Sequence, residues 1–449
     1  MTKSHLFYIN GSPRARVARA EGVYFWDEQG RRYLDGSSGP MLSNLGHGHP
    51  EVLEAMREQM SRATFAYRLH FENEPAERFA AELVQQMPKD LGRVFFASGG
   101  SETVETCLKL ARQYALARGE ESRWKVISLS PCYHGCTLGL LGVSSYAPLN
   151  DPFKPMVRSM PRIPAPTAYR DRDGLSMGER GLRYANNLES EIVKQDPETV
   201  LAFIMEPVGG ASTGALVGPD PFHCRIREIC DEYGVLLIYD EVMSGVGRTG
   251  TYLAAEQWGI TPDLVALSKG ISAGYCPLGA MVARTDLVDS VMDSGEFQHG
   301  YSYAGNPLAC TAGWAVLRIT LKQRLLENAA RQGDALRQRL HDLQRRFPVI
   351  GDVRGRGLLL AFELVADAET WEVLPPEWNA HQRVVDLAYE RGLILYSRRT
   401  RGGYSGDHLL VCPPLIITSP QLNELMEMLT STLVTFTQEF GLADNGPSA

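Results

Sequence analysis

The stretch PDLVALSKGISAG, residues 262–274, ends a short apolar run with a lysine that is followed directly by a glycine. Lys269 stands out because only eight of the 45 basic residues in the chain are lysines. An apolar run of this length without polar alternation is typical of a strand buried on both faces. A lysine at the buried end of a strand either pairs with a carboxylate or has a lowered pKa, as an amine nucleophile requires.

Runs of the same kind recur along the chain, and each is bounded by turn residues. They are RVFFAS (93–98), KVISLS (125–130), VLAFIME (200–206), GVLLIYDE (234–241) and LGAMVA (278–283). Helical patterns lie between them, the clearest at 102–115, where Ser101 is the expected N-cap. Strands that alternate with helices predict an α/β fold with a mostly parallel central sheet.

The pattern changes after about residue 320, where a long Arg-rich amphipathic helix is expected over 321–346. Two apolar runs and a last helix that starts at Ser419 follow it. We therefore predict a large α/β domain over 61–320 and a smaller α+β domain over 321–449. The opening segment, 1–60, is expected to pack with the small domain.

The overall composition excludes several classes of function. A net charge of −8 is unlike the concentrated basic surface of a nucleic-acid-binding protein. The eight cysteines form no CxxC pair, so we expect reduced thiols and no metal site. We find neither a signal-peptide core nor an apolar run of membrane-spanning length, which predicts a cytoplasmic protein without membrane contact.

Ligands of open α/β sheets bind beyond the carboxyl ends of the strands, so the residues that follow each strand are the candidates. Gly100 and Ser101 come directly before a helix, where free N–H groups favour an anion such as phosphate. Asp240 ends a strongly apolar strand and needs a partner, for which a protonated ring nitrogen, an arginine or a helix N-terminus would serve. With Lys269 as the amine, these parts fit pyridoxal phosphate, and Tyr133 is placed to cover its ring.

A competing motif is GVGRTG, residues 245–250, which matches the GxGxxG dinucleotide fingerprint. Its glycines start five residues beyond the expected strand end at Asp240, not in the first turn after it. Asp263, the acidic residue at the required distance, begins the next strand instead of ending it. We therefore reject a nicotinamide-dependent dehydrogenase, which would bind NADH and would not depend on pyridoxal phosphate.

Seven motifs follow one another along the chain: LGHGHPEV (45–52), ASGGSETVE (97–105), YHG (133–135), EPV (206–208), DEVMSGVGRTG (240–250), LSKG (267–270) and YSYAGNPLA (301–309). This ordered set resembles the class III pyridoxal-phosphate aminotransferases, which include the omega-transaminases, over nearly the whole chain. The resemblance implies the aspartate-aminotransferase-like fold, PLP-dependent transferase fold type I. It also implies a homodimer with shared active sites, with a dimer of dimers as an alternative.

The resemblance implies roles for individual residues by their position in these motifs. Lys269 resembles the Schiff-base lysine, and Asp240 resembles the partner of the ring nitrogen. Gly100 and Ser101 resemble the phosphate cup. Glu206 resembles the carboxylate that organises the site beside Asp240.

Three further residues complete the cofactor site that the resemblance implies. Tyr133 resembles the aromatic residue stacked on the ring, and Val242 the residue packed on its opposite face. Ser302 stands where many members have a threonine that reaches the cofactor phosphate of the partner subunit. Because the hydroxyl is kept, we expect Ser302 to keep that role.

The implied reaction moves an amino group from an amine or amino acid to a keto acid such as pyruvate, in two stages through pyridoxamine phosphate. The acceptor carboxylate calls for an arginine, and Arg398 and Arg401 in the region 395–415 are the candidates, with surface arginines as the alternative. Tyr67 would suit an apolar or aromatic amine. A decarboxylase or aminomutase would share every cofactor residue, and a catalytically silent ligand-binding protein on this fold is the other alternative.

Overall fold

The structure is a computed structural model that describes residues 5–7 and 14–446. Residues 1–4 and 8–13 of the predicted N-terminal segment, and 447–449 of the predicted C-terminal domain, lie outside the described residues. The strands, in chain order, are β1 (Val17–Glu21), β2 (Tyr24–Asp27), β3 (Arg32–Asp35), β4 (Leu91–Ala97), β5 (Lys125–Ser130), β6 (Arg162–Pro164), β7 (Val200–Met205), β8 (Leu236–Asp240), β9 (Leu264–Leu267), β10 (Gly279–Arg284), β11 (Ile350–Arg356), β12 (Leu359–Leu364), β13 (Leu393–Ile394), β14 (Tyr396–Arg401) and β15 (Ser405–Val411). The α-helices are α1 (Ser38–Met41), α2 (Pro50–Arg62), α3 (Glu74–Val84), α4 (Gly100–Ala117), α5 (Leu138–Leu141), α6 (Ala147–Asn150), α7 (Met177–Lys194), α8 (Asp220–Tyr233), α9 (Thr285–Asp293), α10 (Pro307–Lys322), α11 (Leu325–Arg346), α12 (Ala380–Glu390) and α13 (Ser419–Phe440).

The central sheet has the strand order β4-β10-β9-β8-β7-β5-β6. The strands from β9 to β6 are parallel to one another, and β10 is antiparallel to both of its neighbours. All six predicted apolar runs are strands of this sheet, and β7 and β9 are buried at every position. The predicted mostly parallel α/β architecture is therefore confirmed. Strand β6 was not predicted, because three residues are too few to show a pattern.

Two smaller sheets complete the fold, with the orders β1-β2-β3-β13 and β11-β12-β15-β14. Strand β13 pairs in parallel with β3, and Leu393 is opposite Leu34. Leu34 also shares a buried cluster with residues of α11 and α13. These contacts join the N-terminal strands to β13 and to α11 and α13. The domains 1–60, 61–320 and 321–449, with the first packing on the third, stay a prediction.

Two helices begin at positions that differ from the sequence predictions. Helix α4 begins at Gly100 and its N-cap is Gly99, so Ser101 lies in the first turn and is not the cap. The Arg-rich helix begins at Leu325, because the left-handed backbone of Arg324 (φ 52°) separates it from α10. In the described part of the chain, no helix combines the length and the hydropathy that crossing a membrane would need.

The first turn of α4 lies against the start of β10 because residue 279 is a glycine. Gly279 pairs with Ala97, the last residue of β4, at the edge of the sheet where the parallel strands end. A Cβ atom on Gly279 would lie 2.1 Å from Thr103 Oγ1 and 2.9 Å from the carbonyl oxygen of Gly99. Thr103 Oγ1 in turn donates a hydrogen bond of 2.9 Å to that carbonyl. The absence of a side chain at Gly279 therefore sets where the N-terminus of α4 stands.

We predict that Gly279→Ala lowers the free energy of unfolding by about 1–3 kcal/mol, because the added methyl group must push α4 away from β10. The displacement also weakens anion binding at the N-terminus of α4. Thermal unfolding and a titration with pyridoxal phosphate measure the two effects. Gly178→Ala is the matched control, since a Cβ at this helical position meets only Pro221 at 3.9 Å and changes stability by roughly 1 kcal/mol or less. Equal behaviour of the two variants would contradict the prediction.

Candidate active site

A cavity of about 360 Å³ lies beyond the carboxyl ends of the parallel strands. Eight of the eleven predicted site residues line it: Gly100, Ser101, Tyr133, Glu206, Asp240, Val242, Lys269 and Arg398. The polar residues at its base follow three neighbouring strands, with Glu206 after β7, Asp240 at the end of β8 and Lys269 after β9. The cavity size is within the range of small-molecule sites.

Lys269 occupies an unfavourable backbone conformation at this edge. Its φ angle is 47°, in the left-handed region that residues with a Cβ atom rarely adopt. Burial lowers the pKa of the Lys269 amine, although the negative charges of Asp240 and Glu206 oppose that effect. The structure therefore combines local strain with a shift toward the neutral amine, and both features are common at functional positions.

Asp240 is 5% exposed and is held by two hydrogen bonds. Its Oδ2 lies 2.8 Å from Nδ1 of His134, and its Oδ1 accepts from the backbone N–H of Val242 at 3.1 Å. Burial alone would lower the pKa of His134, but its contacts with Cys132 and Asp240 outweigh burial and raise this pKa well above the ordinary value. No role was predicted for His134 from the sequence, although its place beside Tyr133 in the YHG motif was a usable signal.

Glu206 lies beside this pair and is also almost completely buried. Its Oε1 accepts from the N–H of Gly210 at 2.8 Å, and its Oε2 accepts from the N–H of Tyr133 at 3.2 Å. Burial raises the pKa of Glu206 from 4.5 to about 6, the charge of Asp240 adds to this rise, and His134 opposes it. Glu206 thus titrates closer to neutral pH than an exposed carboxyl group does.

Helix α4 begins at the wall of this cavity, with Gly100 and Ser101 in its first turn. Among the described residues no side chain caps the first turn, because its N-cap is Gly99. A Cβ atom on Gly100 would come within 3.0 Å of Cγ1 of Val242, so the glycine allows the backbone to approach the cavity wall closely. Ser101 Oγ accepts from the N–H of Cys136 at 3.2 Å and can donate its own proton to an anion. An amine, a carboxylate and a helix N-terminus thus share one cavity, and these residues fit pyridoxal 5'-phosphate.

Three predicted residues do not line this cavity. Tyr67 and Ser302 lie together at a second cavity of about 700 Å³. Exposed apolar side chains stand on the segments that carry them, namely Phe65, Leu69, Phe71 and Tyr303. The guanidinium group of Arg401 donates to the backbone carbonyl of Trp371 and does not reach the cavity.

The wall of the cavity also includes Pro40 and Met41, together with four residues that the sequence did not single out: Tyr146, Leu149, Met243 and Tyr396. Part of this wall is held by the tip of the β14–β15 hairpin, residues 402–404, which contains two glycines. The carbonyl of Gly402 accepts from the N–H of Ala147 at 3.1 Å, and the Tyr404 hydroxyl donates to Asp151. The hairpin therefore packs on the segment that places Tyr146 and Leu149 in the wall.

The family model described as "Aminotransferase class-III" matches residues 8–433. The chain belongs to the class III aminotransferases. An uncharacterised aminotransferase of Schizosaccharomyces pombe is 38% identical over 438 residues, which are 96% of this chain and 95% of that one. A solved (S)-enantioselective omega-transaminase of Thermomicrobium roseum is 36% identical with a TM-score of 0.90, and the match covers 96% of each chain.

A PLP-bound amine transaminase from an uncultivated Pseudomonas species has a similar structure, with 32% identity and a TM-score of 0.89. The match covers 96% of this chain and 99% of the other. The predicted fold type I and the predicted cofactor are therefore confirmed, and this class III aminotransferase uses pyridoxal 5'-phosphate.

We predict a specific pH dependence of stability for the cofactor-free protein, caused by Glu206. Its folded-state pKa is raised from 4.5 to about 6, so the folded protein binds this proton more tightly than the unfolded chain does. The resulting stabilisation of about 2 kcal/mol is fully present below pH 4.5 and is lost as the pH rises through about 6. Denaturant unfolding of the wild type and Glu206→Gln between pH 4 and 8 measures the difference. A difference that stays constant over this range would contradict the assignment.

Proposed function

We propose that this aminotransferase takes an amino group from a primary amine, the omega-amine class in particular, and transfers it to a keto acid such as pyruvate. The observation that carries this proposal is the guanidinium group of Arg398 at the edge of an otherwise largely apolar wall. Within residues 14–446, Arg398 has no acidic side chain in ion-pair contact, whereas its neighbour Arg399 pairs with Asp407 at 3.3 Å. An unpaired guanidinium in a substrate cavity is suited to bind a carboxylate in two parallel hydrogen bonds.

Lys269 is proposed as the residue that joins the cofactor and then moves the proton. Pyridoxal phosphate, when bound, supplies an electron sink that makes the substrate Cα–H bond acidic. The lowered pKa of Lys269 favours the neutral amine, which can accept this proton at Nζ and deliver it to the cofactor within the same half-reaction. In the other half-reaction the same amine would carry a proton in the reverse direction. Asp240 is proposed to keep a positive charge on the ring nitrogen, and its hydrogen bond with His134 orients the carboxylate.

The remaining cofactor residues are proposed to orient the ring and its phosphate. The uncapped N-terminus of α4 supports a phosphate role for Gly100 and Ser101. Tyr133 and Val242 line the same cavity, which supports their proposed places on the two faces of the ring. Glu206 accepts from the backbone of Tyr133, so we propose that it positions this aromatic residue.

The side chains in the wall of the cavity support an amine as the donor substrate. Met41, Tyr146, Leu149, Met243 and Tyr396 present aliphatic and aromatic surface, which suits an apolar or aromatic substituent. The two solved relatives described above are themselves named an omega-transaminase and an amine transaminase. A decarboxylase or an aminomutase would use the same cofactor residues without consuming a keto acid, so pyruvate consumption with alanine formation distinguishes the reactions.

We further propose that two chains form a homodimer and share their active sites. Ser302 and Tyr67 lie outside the cavity of their own chain, beside exposed apolar side chains, which supports a contribution to the partner's site. A dimer of dimers would be compatible with the same contacts. We keep the cytoplasm as the proposed location.

We predict that the visible absorbance band of the cofactor-loaded enzyme decreases with 1-phenylethylamine and returns with pyruvate, because the two half-reactions share one site.

Lys269→Ala should lower turnover by about a thousandfold or more and leave cofactor binding measurable, since it removes the proton-transfer group. Lys322→Ala is the matched control, because this exposed lysine pairs with Glu51 away from the cavity. A band that does not respond to the amine would reject the donor class, and an active Lys269→Ala variant would reject the role of Lys269.

We also predict that Arg398→Met raises the KM for pyruvate about tenfold to a hundredfold, since a charged hydrogen-bonded pair is lost. The response to 1-phenylethylamine, which has no carboxylate, should change much less. Steady-state kinetics with both substrates, on Arg398→Met, Arg401→Met and the surface variant Arg318→Met, make the comparison. If Arg401→Met alone raises the KM for pyruvate, Arg401 is the carboxylate ligand and the proposal for Arg398 is wrong.

A further inference from the structure

The GVGRTG motif at 245–250 contains a buried charge that the cofactor chemistry does not use. Arg248 is only 1% exposed, and among the described residues no carboxylate lies within ion-pair distance of it. Its guanidinium group donates to the backbone carbonyl of Pro413 at 2.6 Å, and longer bonds reach the carbonyls of Leu358 and Cys412. Burial lowers the pKa of Arg248 to about 10, so the group stays charged at neutral pH. A buried charge held without a counter-charge costs several kcal/mol, which is unfavourable for a residue that only fills space.

Arg248 also binds the segment that forms one wall of the cavity. In this segment Ser38 and Met41 have φ angles of 53° and 59°, a conformation that costs about 1–3 kcal/mol for each residue with a side chain. Ser38 Oγ accepts from Arg248 at 3.2 Å and donates to the carbonyl of Cys412 at 2.7 Å. Pro40 and Met41, which follow Ser38 in the same segment, line the cavity. The strained wall is therefore kept in shape by bonds from outside the segment.

The same guanidinium group reaches the turn of Lys269 through Asn44. Asn44 Oδ1 accepts from Arg248 at 2.7 Å, and Asn44 Nδ2 donates to the carbonyl of Val246 at 2.9 Å. Asn44 Nδ2 is also so close to Gly270 that a Cβ atom there would lie 2.4 Å away. Asn44 therefore lies between Arg248 and Gly270, the residue that follows Lys269.

We propose that Arg248 is a positioning residue for amino transfer, which holds the Ser38–Met41 wall and the Lys269–Gly270 turn in the geometry that the amine substrate and the cofactor require. The inference rests on the proposed function, because it assigns the Pro40 and Met41 wall to the amine. It adds that the shape of this wall is set by a charge in the GVGRTG loop, through hydrogen bonds to Ser38 and Asn44.

The test compares Arg248→Met and Arg248→Lys with Arg227→Met. Arg227 is a matched control because it also forms a largely buried contact, an ion pair of 2.9 Å with Asp263, but does not line the cavity. We expect Arg248→Met to raise the KM for 1-phenylethylamine about tenfold to a hundredfold and to weaken pyridoxal phosphate binding, because small misplacements of reacting groups are costly. Arg248→Lys should recover part of both losses, since one ammonium group can replace one or two of the hydrogen bonds.

The structural alternative makes a different prediction for the same measurements. If Arg248 only stabilises the fold, both methionine variants lower the temperature of thermal unfolding while the KM for the amine and the dissociation constant of pyridoxal phosphate stay at wild-type values. That result would overturn the proposal. Should Arg248→Met fail to fold, Arg248→Lys and Ser38→Ala carry the test, and unchanged KM values and cofactor affinity in both would equally overturn it.

The measurements distinguish a wrong substrate assignment from a wrong role for Arg248. A wild-type enzyme that moves no amino group between 1-phenylethylamine and pyruvate would reject the proposed substrates. The dissociation constant of pyridoxal phosphate still distinguishes the variants in that case, because it requires no amine. Weaker cofactor binding in Arg248→Lys than in Arg227→Met supports the positioning role, and equal binding in the two rejects it.

Discussion

The buried carboxylate of Asp240 is the constraint on which the rest of the site depends. A carboxylate that is almost removed from water at the end of an apolar strand must be compensated locally. Its charge raises the pKa of His134, adds to the rise in the pKa of Glu206 and opposes the fall in the pKa of Lys269. One side chain therefore influences the protonation of three neighbours, and each of them faces the same cavity.

The sheet topology explains why these residues meet although they are far apart in sequence. Strands β7, β8 and β9 are neighbours and parallel, so the residues at their carboxyl ends lie at the same edge of the sheet. Sequence alone predicts this part of the site well, because each strand is a continuous apolar run that ends in a polar residue. Lys269 and Asp240 were placed by this rule and Glu206 by the family resemblance, and the structure brings all three to one cavity.

The wall of the cavity was much harder to predict, for a physical reason. It is formed by irregular backbone, in which Ser38 and Met41 adopt left-handed angles that no residue pattern signals. The difference between Arg398 and Arg401 depends on the β14–β15 hairpin, in which Arg398 lines the cavity and Arg401 donates to the carbonyl of Trp371. Similarly, Ser302 cannot be assigned from one chain, because its proposed partner lies on another subunit. Strand ends follow from local sequence, whereas these features follow from contacts between distant segments.

The two buried basic residues, Lys269 and Arg248, illustrate why lysine and arginine are not interchangeable here. At Lys269 burial shifts the pKa toward the neutral amine, which is the form that a nucleophile and proton carrier needs. At Arg248 the pKa falls only to about 10, so the charge persists, and the planar group offers several donors to carbonyl oxygens and to Asn44 at once. An arginine at 269 could not release its proton near neutral pH, and a lysine at 248 could not make all of these bonds. The proposed proton carrier and the proposed positioning charge are thus different side chains, and Asn44 lies between Arg248 and Gly270, the residue after Lys269.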